Sequence, residues 1–114
     1  MIFYNVSGIM LGMGWIAVDL DGTLAHYEGW KDGSIGKPIA PMVKLVKEWL
    51  ENGRQVKIFT ARASRSDQIS KIKKWCVEHI GQELEVTNVK DFKMVALYDD
   101  RAKQVEKNTG KIIG

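Results

Sequence analysis

The sequence has a single cysteine, Cys76, so it cannot carry an internal disulfide, and no Cys/His cluster stands at zinc spacing. A disulfide scaffold and a structural zinc module are both excluded, and a reducing, cytoplasmic setting is the economical expectation. Proline occurs only at positions 38 and 41. No repeat, low-complexity tract or Pro/Ser-rich linker divides the chain. Residues 1–14 are mostly apolar, yet they include Asn5 and Ser7 and have no basic leader. They read as neither a signal peptide nor a bilayer span, so no membrane role is expected. An N-terminal extension or an added edge strand is the expectation there, with one domain over residues 15–114.

What remains is an ordinary globular composition: 114 residues, 45% hydrophobic and 27% charged. A chain of this length builds one core with little left for a second lobe. The net charge of +3, with lysines spread along the chain, fits an anionic ligand without demanding nucleic acid.

Apolar runs alternate with amphipathic stretches. Residues 15–20 form a short apolar run ending in acid, as a buried parallel strand reads. Residues 25–40 hold glycines at 29, 33 and 36 and no sustained period, which predicts a flap. Met42, Leu45, Val46, Trp49 and Leu50 then recur at helical spacing between Pro41 and the stop Asn52-Gly53. A strand over 55–59 ends at Thr60-Ala61-Arg62. A second helix follows, with Ser66 as its cap and Ile69, Ile72, Cys76 and Ile80 on one face. Residues 84–89 and 94–98 read as further strands, the latter ending at Asp99-Asp100. Asn108-Thr109-Gly110 predicts a turn between two short end strands.

This order predicts an α/β fold: a Rossmann-like three-layer sandwich with a mostly parallel sheet, helices on both faces and no cap domain. Ligands of such sheets bind at the carboxyl ends of the strands. That rule gathers Asp19, Asp21, Thr60, Asp99 and Asp100 at one edge. Several carboxylates in one cleft raise each other's pKa unless a cation offsets them. Mg²⁺ is the natural partner where phosphate is also to be held. An Asp beside it can attack as nucleophile, and a second Asp two residues on can serve as general acid and base. Gly22 permits the tight turn and Thr23 can hold it. Thr60, the Ala61 amide and a lysine would supply donors to a phosphoryl group. Lys93 directly precedes a strand and should lie at the wrong end of it, about 17–20 Å from the site. Lys90 is therefore preferred.

These residues resemble the haloacid dehalogenase superfamily of phosphatases and phosphotransferases. Its pattern is Asp-x-Asp-x-Thr after the first strand, a Thr or Ser after the second, a Lys, and a later acidic pair. Asp19/Asp21/Thr23, Thr60, Lys90 (or Lys93) and Asp99/Asp100 follow that order from Trp15 onward. The resemblance implies Asp19 as nucleophile and metal ligand and Asp21 as acid/base with its backbone carbonyl on the metal. It further implies Asp100 or Asp99 as the third protein ligand, Asp100 being preferred, with Asp99 then turned toward the lysine. Members that cleave carbon–halogen bonds lack the second Asp, and the transport ATPases carry Thr there; Asp21 thus implies phosphomonoester hydrolysis. The chain has no room for the superfamily's cap. An open site suits a large phosphorylated substrate such as a nucleic-acid end, or a small molecule enclosed by a neighbouring subunit of a homo-oligomer. Residues 58–62 and 98–102 resemble small bacterial and phage hydrolases of this superfamily, which implies nucleotidase-like activity.

Each of these residues also has a plainer use. Arg62 and Arg101 either grip phosphate or sit solvated. His26, Tyr27 and Trp30 either stack on a substrate ring or pin the flap, and His79, late in its helix, is structural. A receiver-like signalling domain also joins acids, Thr and Lys around Mg²⁺, but its acidic pair stands at the first strand and its phosphorylated Asp at the third, the reverse of this order. A catalytically idle phosphate-binding module is the other alternative; no motif acid is missing here.

Overall fold

The structure, a computed structural model, describes residues 14–114; the expectation for the N-terminal extension otherwise lies outside the described residues. The elements run β1 (Trp15–Val18), α1 (Ala40–Glu51), β2 (Gln55–Phe59), α2 (Ser66–His79), β3 (Glu85–Thr87), β4 (Met94–Tyr98), β5 (Gln104–Val105) and β6 (Ile112–Ile113). A 3-10 turn over Ala61–Ser64 joins β2 to α2. Four strands form a parallel sheet in the order β3-β2-β1-β4. The two end strands pair antiparallel as a separate hairpin around Asn108 and Gly110, both at positive φ. The result is the Rossmann-like α/β layering that the alternation predicts.

Strand β1 lies between β2 and β4 and is buried along its whole length, which is why it reads as an unbroken apolar run. Ile16 and Val18 share one core with Val56 and Ile58 of β2, Val43 and Val46 of α1, and Ile72, Trp75 and Cys76 of α2. On the alternate positions, Trp15 meets Phe59 with ring centroids 6.5 Å apart, and Lys57 lies 4.5 Å over the Trp15 ring. The Trp15 indole N–H donates to Asp91 at 2.9 Å. No helix among the described residues is long and apolar enough to cross a membrane.

Two local readings need correction. Ser66 is the first residue of α2 rather than its cap; the cap position belongs to Arg65, which makes no side-chain cap bond. The 3-10 turn feeds straight into the helix, and Arg65 pairs with Asp67 instead. The strand expected over 84–89 is shorter, running only from Glu85 to Thr87. Thr87 lies level with Phe59 and Met94 with Trp15, across three strand spacings. The chain must cover roughly 20 Å in seven Cα steps that reach at most about 23–25 Å. The link ends in a turn, Met94 N–H donating to Asp91 O at 3.2 Å, and the Asp91 carboxylate fastens it to Trp15.

Candidate functional site

The first strand delivers its acids through a turn wound on one carbonyl. Leu20 C=O accepts from the amides of Thr23, Leu24 and Ala25 at 3.3, 2.9 and 2.9 Å, and Gly22 N–H returns to Ala25 at 2.8 Å. Gly22 has φ +88°, and a Cβ there would come within 2.7 Å of the Asp100 carboxylate, so the close approach itself requires glycine. Thr23 ties this turn to the end of β4. Its hydroxyl donates to Asp100 Oδ1 at 2.9 Å and accepts from the Asp100 amide at 2.9 Å. That bond holds the Asp100 carboxyl below the usual carboxylate range.

Asp19 follows β1 directly, its amide bonded to Tyr98 C=O at 2.9 Å. This places it beside the acids that follow β4. One carboxylate oxygen from each of Asp19, Asp99 and Asp100 lies within 4.8 Å of the others. Burial, and after it the charge of Asp99 and the contact with Asp100, push the Asp19 carboxyl up from 3.8 to about 7. All the donors are oxygens, a set that fits a hard divalent cation such as Mg²⁺. Asp99 and Asp100, the two alternatives for the third ligand, both belong to this cluster, and Asp99 Oδ1 also accepts from the Arg101 amide at 2.7 Å.

The side chain of Asp21 goes elsewhere. Arg62 Nε and Nη2 donate to its two oxygens at 2.8 and 2.9 Å in a two-pronged ion pair. Arg62 is buried, and its remaining N–H groups reach Gly33 O at 2.8 Å, Ser34 O at 3.1 Å and Gln68 Oε1 at 2.8 Å. All five donors of the guanidinium are thereby used. Arg62 was expected either to grip phosphate or to sit solvated; its geometry makes it the fastener of Asp21 and of the flap. The flap is also pinched at its base, where His26 N–H meets Lys37 O and Ile39 N–H meets Leu24 O, each at 2.8 Å. Trp75 holds its far side through Gly36 O at 3.0 Å.

Thr60 is buried at the end of β2, and its oxygen accepts from the Arg62 amide at 3.2 Å, capping the 3-10 turn while leaving its own proton to donate. Together these residues line a cleft of about 670 Å³ that also includes Ala61, Asn88, Arg65 and Arg101, with Tyr27 and Trp30 contributed by the flap. A second cavity of about 500 Å³ beneath the flap shares Asp21 and Tyr27. Neither lysine of the expected motif lines the cleft. Lys93 lies at the amino end of the sheet, its carbonyl bonded to Trp15 N at 2.8 Å. Lys90 lies three residues past the end of β3 on the link to β4, and of that link Asn88 lines the cleft. Gln68, Asn88 and Arg65 carried no motif signal; the close approach of Gly33 to Gln68 Nε2, where a Cβ would lie at 2.8 Å, emerges only in three dimensions.

Fold and site together define an α/β protein with a cluster of carboxylates at the carboxyl ends of its parallel strands. The chain is similar to a solved structure described as a conserved protein coded by a locus from Bacteroides thetaiotaomicron, with a TM-score of 0.62 and 22% identity over 77% of this chain and 76% of that chain. That likeness shows the fold. No protein-family model matches the sequence, and no curated protein matches it.

Proposed function

We propose that this chain is a magnesium-dependent phosphomonoester hydrolase of the haloacid dehalogenase type, acting through an aspartyl-phosphate on Asp19. The observation that carries the reading is the meeting of Asp19, Asp99 and Asp100 within 4.8 Å, beside the donors Thr60 and Ala61 in one cleft. Arg62, the buried cation nearby, already serves Asp21. The other cations of the cleft, Arg65 and Arg101, form no ion pair with the three carboxylates among the described residues, so the cluster keeps a crowding of like charge that is costly without a ligand. Mg²⁺ held by Asp19 and the Asp99/Asp100 pair, with the Asp21 backbone carbonyl, would offset that charge and draw a phosphate oxygen into the site.

In the first step an Asp19 oxygen attacks phosphorus as the ester P–O bond breaks; Asp21, whose two oxygens pair with Arg62 in this structure, would take up a proton and release part of that pair to protonate the leaving oxygen. In the second, water attacks the aspartyl-phosphate, gives a proton to Asp21 and releases inorganic phosphate, restoring the Asp19 carboxylate. The Thr60 hydroxyl and the Ala61 amide donate to the phosphoryl oxygens through both steps. The motif lysine of the superfamily has no counterpart among the residues lining this cleft; Arg65 and Arg101 are the cations left at its rim.

The test is hydrolysis of a generic aryl phosphate with and without Mg²⁺, comparing the native chain with Asp19→Asn. Metal-dependent turnover abolished by the substitution is expected. Turnover indifferent to it would remove Asp19 as nucleophile.

A further inference from the structure

The flap sends two aromatic side chains into the cleft that holds the acids. Tyr27 and Trp30 both line it, and they remain 51% and 49% exposed. Rings of this size are normally put to use in a core or against a ligand. Two guanidinium groups steady the Trp30 ring: the carbon of Arg62 lies 4.7 Å from the ring centroid and that of Arg65 5.8 Å. Arg62 is itself anchored by five hydrogen bonds. An indole held this way offers an apolar surface that loses little freedom when a ligand arrives. At the rim, the Arg65 side chain is 58% exposed, and its ion pair with Asp67 is loose at 3.3 Å. A cleft of about 670 Å³ is the size of ordinary small-molecule sites.

Resting on the phosphatase reading, we infer that the leaving group carries a planar heteroaromatic ring, stacked on Trp30 beside Tyr27. The substrate class is the nucleoside monophosphate, either free or as the phosphorylated terminus of a single strand. A simple sugar phosphate or a phosphoserine brings no ring and would leave both aromatic faces wet. A nucleic-acid terminus would also bring flanking phosphates within the field of Arg65 and Arg101.

The experiment compares kcat/KM for adenosine monophosphate, ribose 5-phosphate and a terminally phosphorylated oligonucleotide in Mg²⁺. In parallel, calorimetric titration of the first two onto Asp19→Asn measures binding without turnover. A preference of about 10- to 100-fold for the base-bearing substrates is expected from one stacked base. Trp30→Ala should bring the adenosine-to-ribose ratio close to one, with Trp30→Phe keeping most of it. The ratio is the readout because Trp30 also packs on Arg62. Tyr27→Ala, outside that stack, should lower the ratio by a smaller factor. Equal handling of the two small substrates by the native chain, or a ratio untouched by either alanine, overturns the inference. Preferential binding of adenosine monophosphate without turnover of any ester would support the ring site while refuting the phosphatase reading. Turnover without preference would do the reverse. The rank of oligonucleotide against mononucleotide identifies the source of the base.

Discussion

Replacing Arg62 with methionine keeps much of the side-chain volume and removes a buried cation. The Arg62 side chain is 5% exposed and that of its partner Asp21 20%. The substitution leaves the Asp21 carboxylate, the carbonyls of Gly33 and Ser34 and the amide oxygen of Gln68 without the donors they now use. Breaking a buried ion pair from one side costs about 3–5 kcal/mol, because the remaining charge stays behind uncompensated. Water reaches Asp21 in part, which places the loss near the lower limit, roughly 3 kcal/mol. At about 4 °C per kcal/mol for a domain of this size, the melting temperature falls by roughly 12 °C. Urea titration followed by circular dichroism should show a lower midpoint at an unchanged slope. Arg62→Lys keeps the charge but not the fork, and is expected to recover about half of the loss. A loss for Arg62→Met below about 1 kcal/mol, the scale of an exposed pair, would refute the reasoning.

Two further outcomes follow from the acids and their turn. Because the Asp19 carboxyl is pushed up to about 7 in the folded chain, the folded state keeps a proton that the unfolded chain has already lost above the ordinary 3.8. Without divalent cation, stability should therefore fall as pH rises from about 4 to about 7, and Asp19→Asn should flatten that fall. Denaturation in chelator at pH 5 and pH 7.5 measures it, and parallel curves for the two proteins would contradict the assigned crowding. Gly22→Ala forces a side chain into φ +88° and against the Asp100 carboxylate. A loss of about 1–3 kcal/mol is expected by denaturant titration, together with weakened Mg²⁺ binding by calorimetry. Full stability and affinity in that variant would mean that the turn has room to relax.

The strands that carry the acids were legible because each is an apolar run that stops where the acid begins; β1 is enclosed along its whole length, while β4 is only partly covered. Knowing that parallel strands present their carboxyl ends together was enough to bring Asp19, Thr60, Asp99 and Asp100 into one cleft. Lys90 does not line the cleft because β3 ends at Thr87, earlier than the apolar run over 84–89 suggested, so the lysine is the third residue of the link rather than the first beyond the strand. The role of Arg62 was hidden for a different reason. Its acidic partner lies 41 residues away, and two of its acceptors are main-chain carbonyls of the flap, which have no sequence signature. Ser66 carries the right chemistry for a cap, but the helix begins one residue early, so that Arg65 at the end of the 3-10 turn holds the cap position.

The same guanidinium sets a limit on how this protein can be re-engineered. Gly33 and Ser34 belong to the flap, Gln68 to α2 and Asp21 to the turn after β1, and all four meet on Arg62. A flap grafted from elsewhere to change substrate range would have to reproduce two carbonyl positions as well as its new contact residues. Without them Arg62 loses acceptors, and Asp21 loses the partner that holds it in place. Variation in selectivity should therefore be easier to obtain at side chains such as Tyr27, which hang from the flap, than in the path of its backbone.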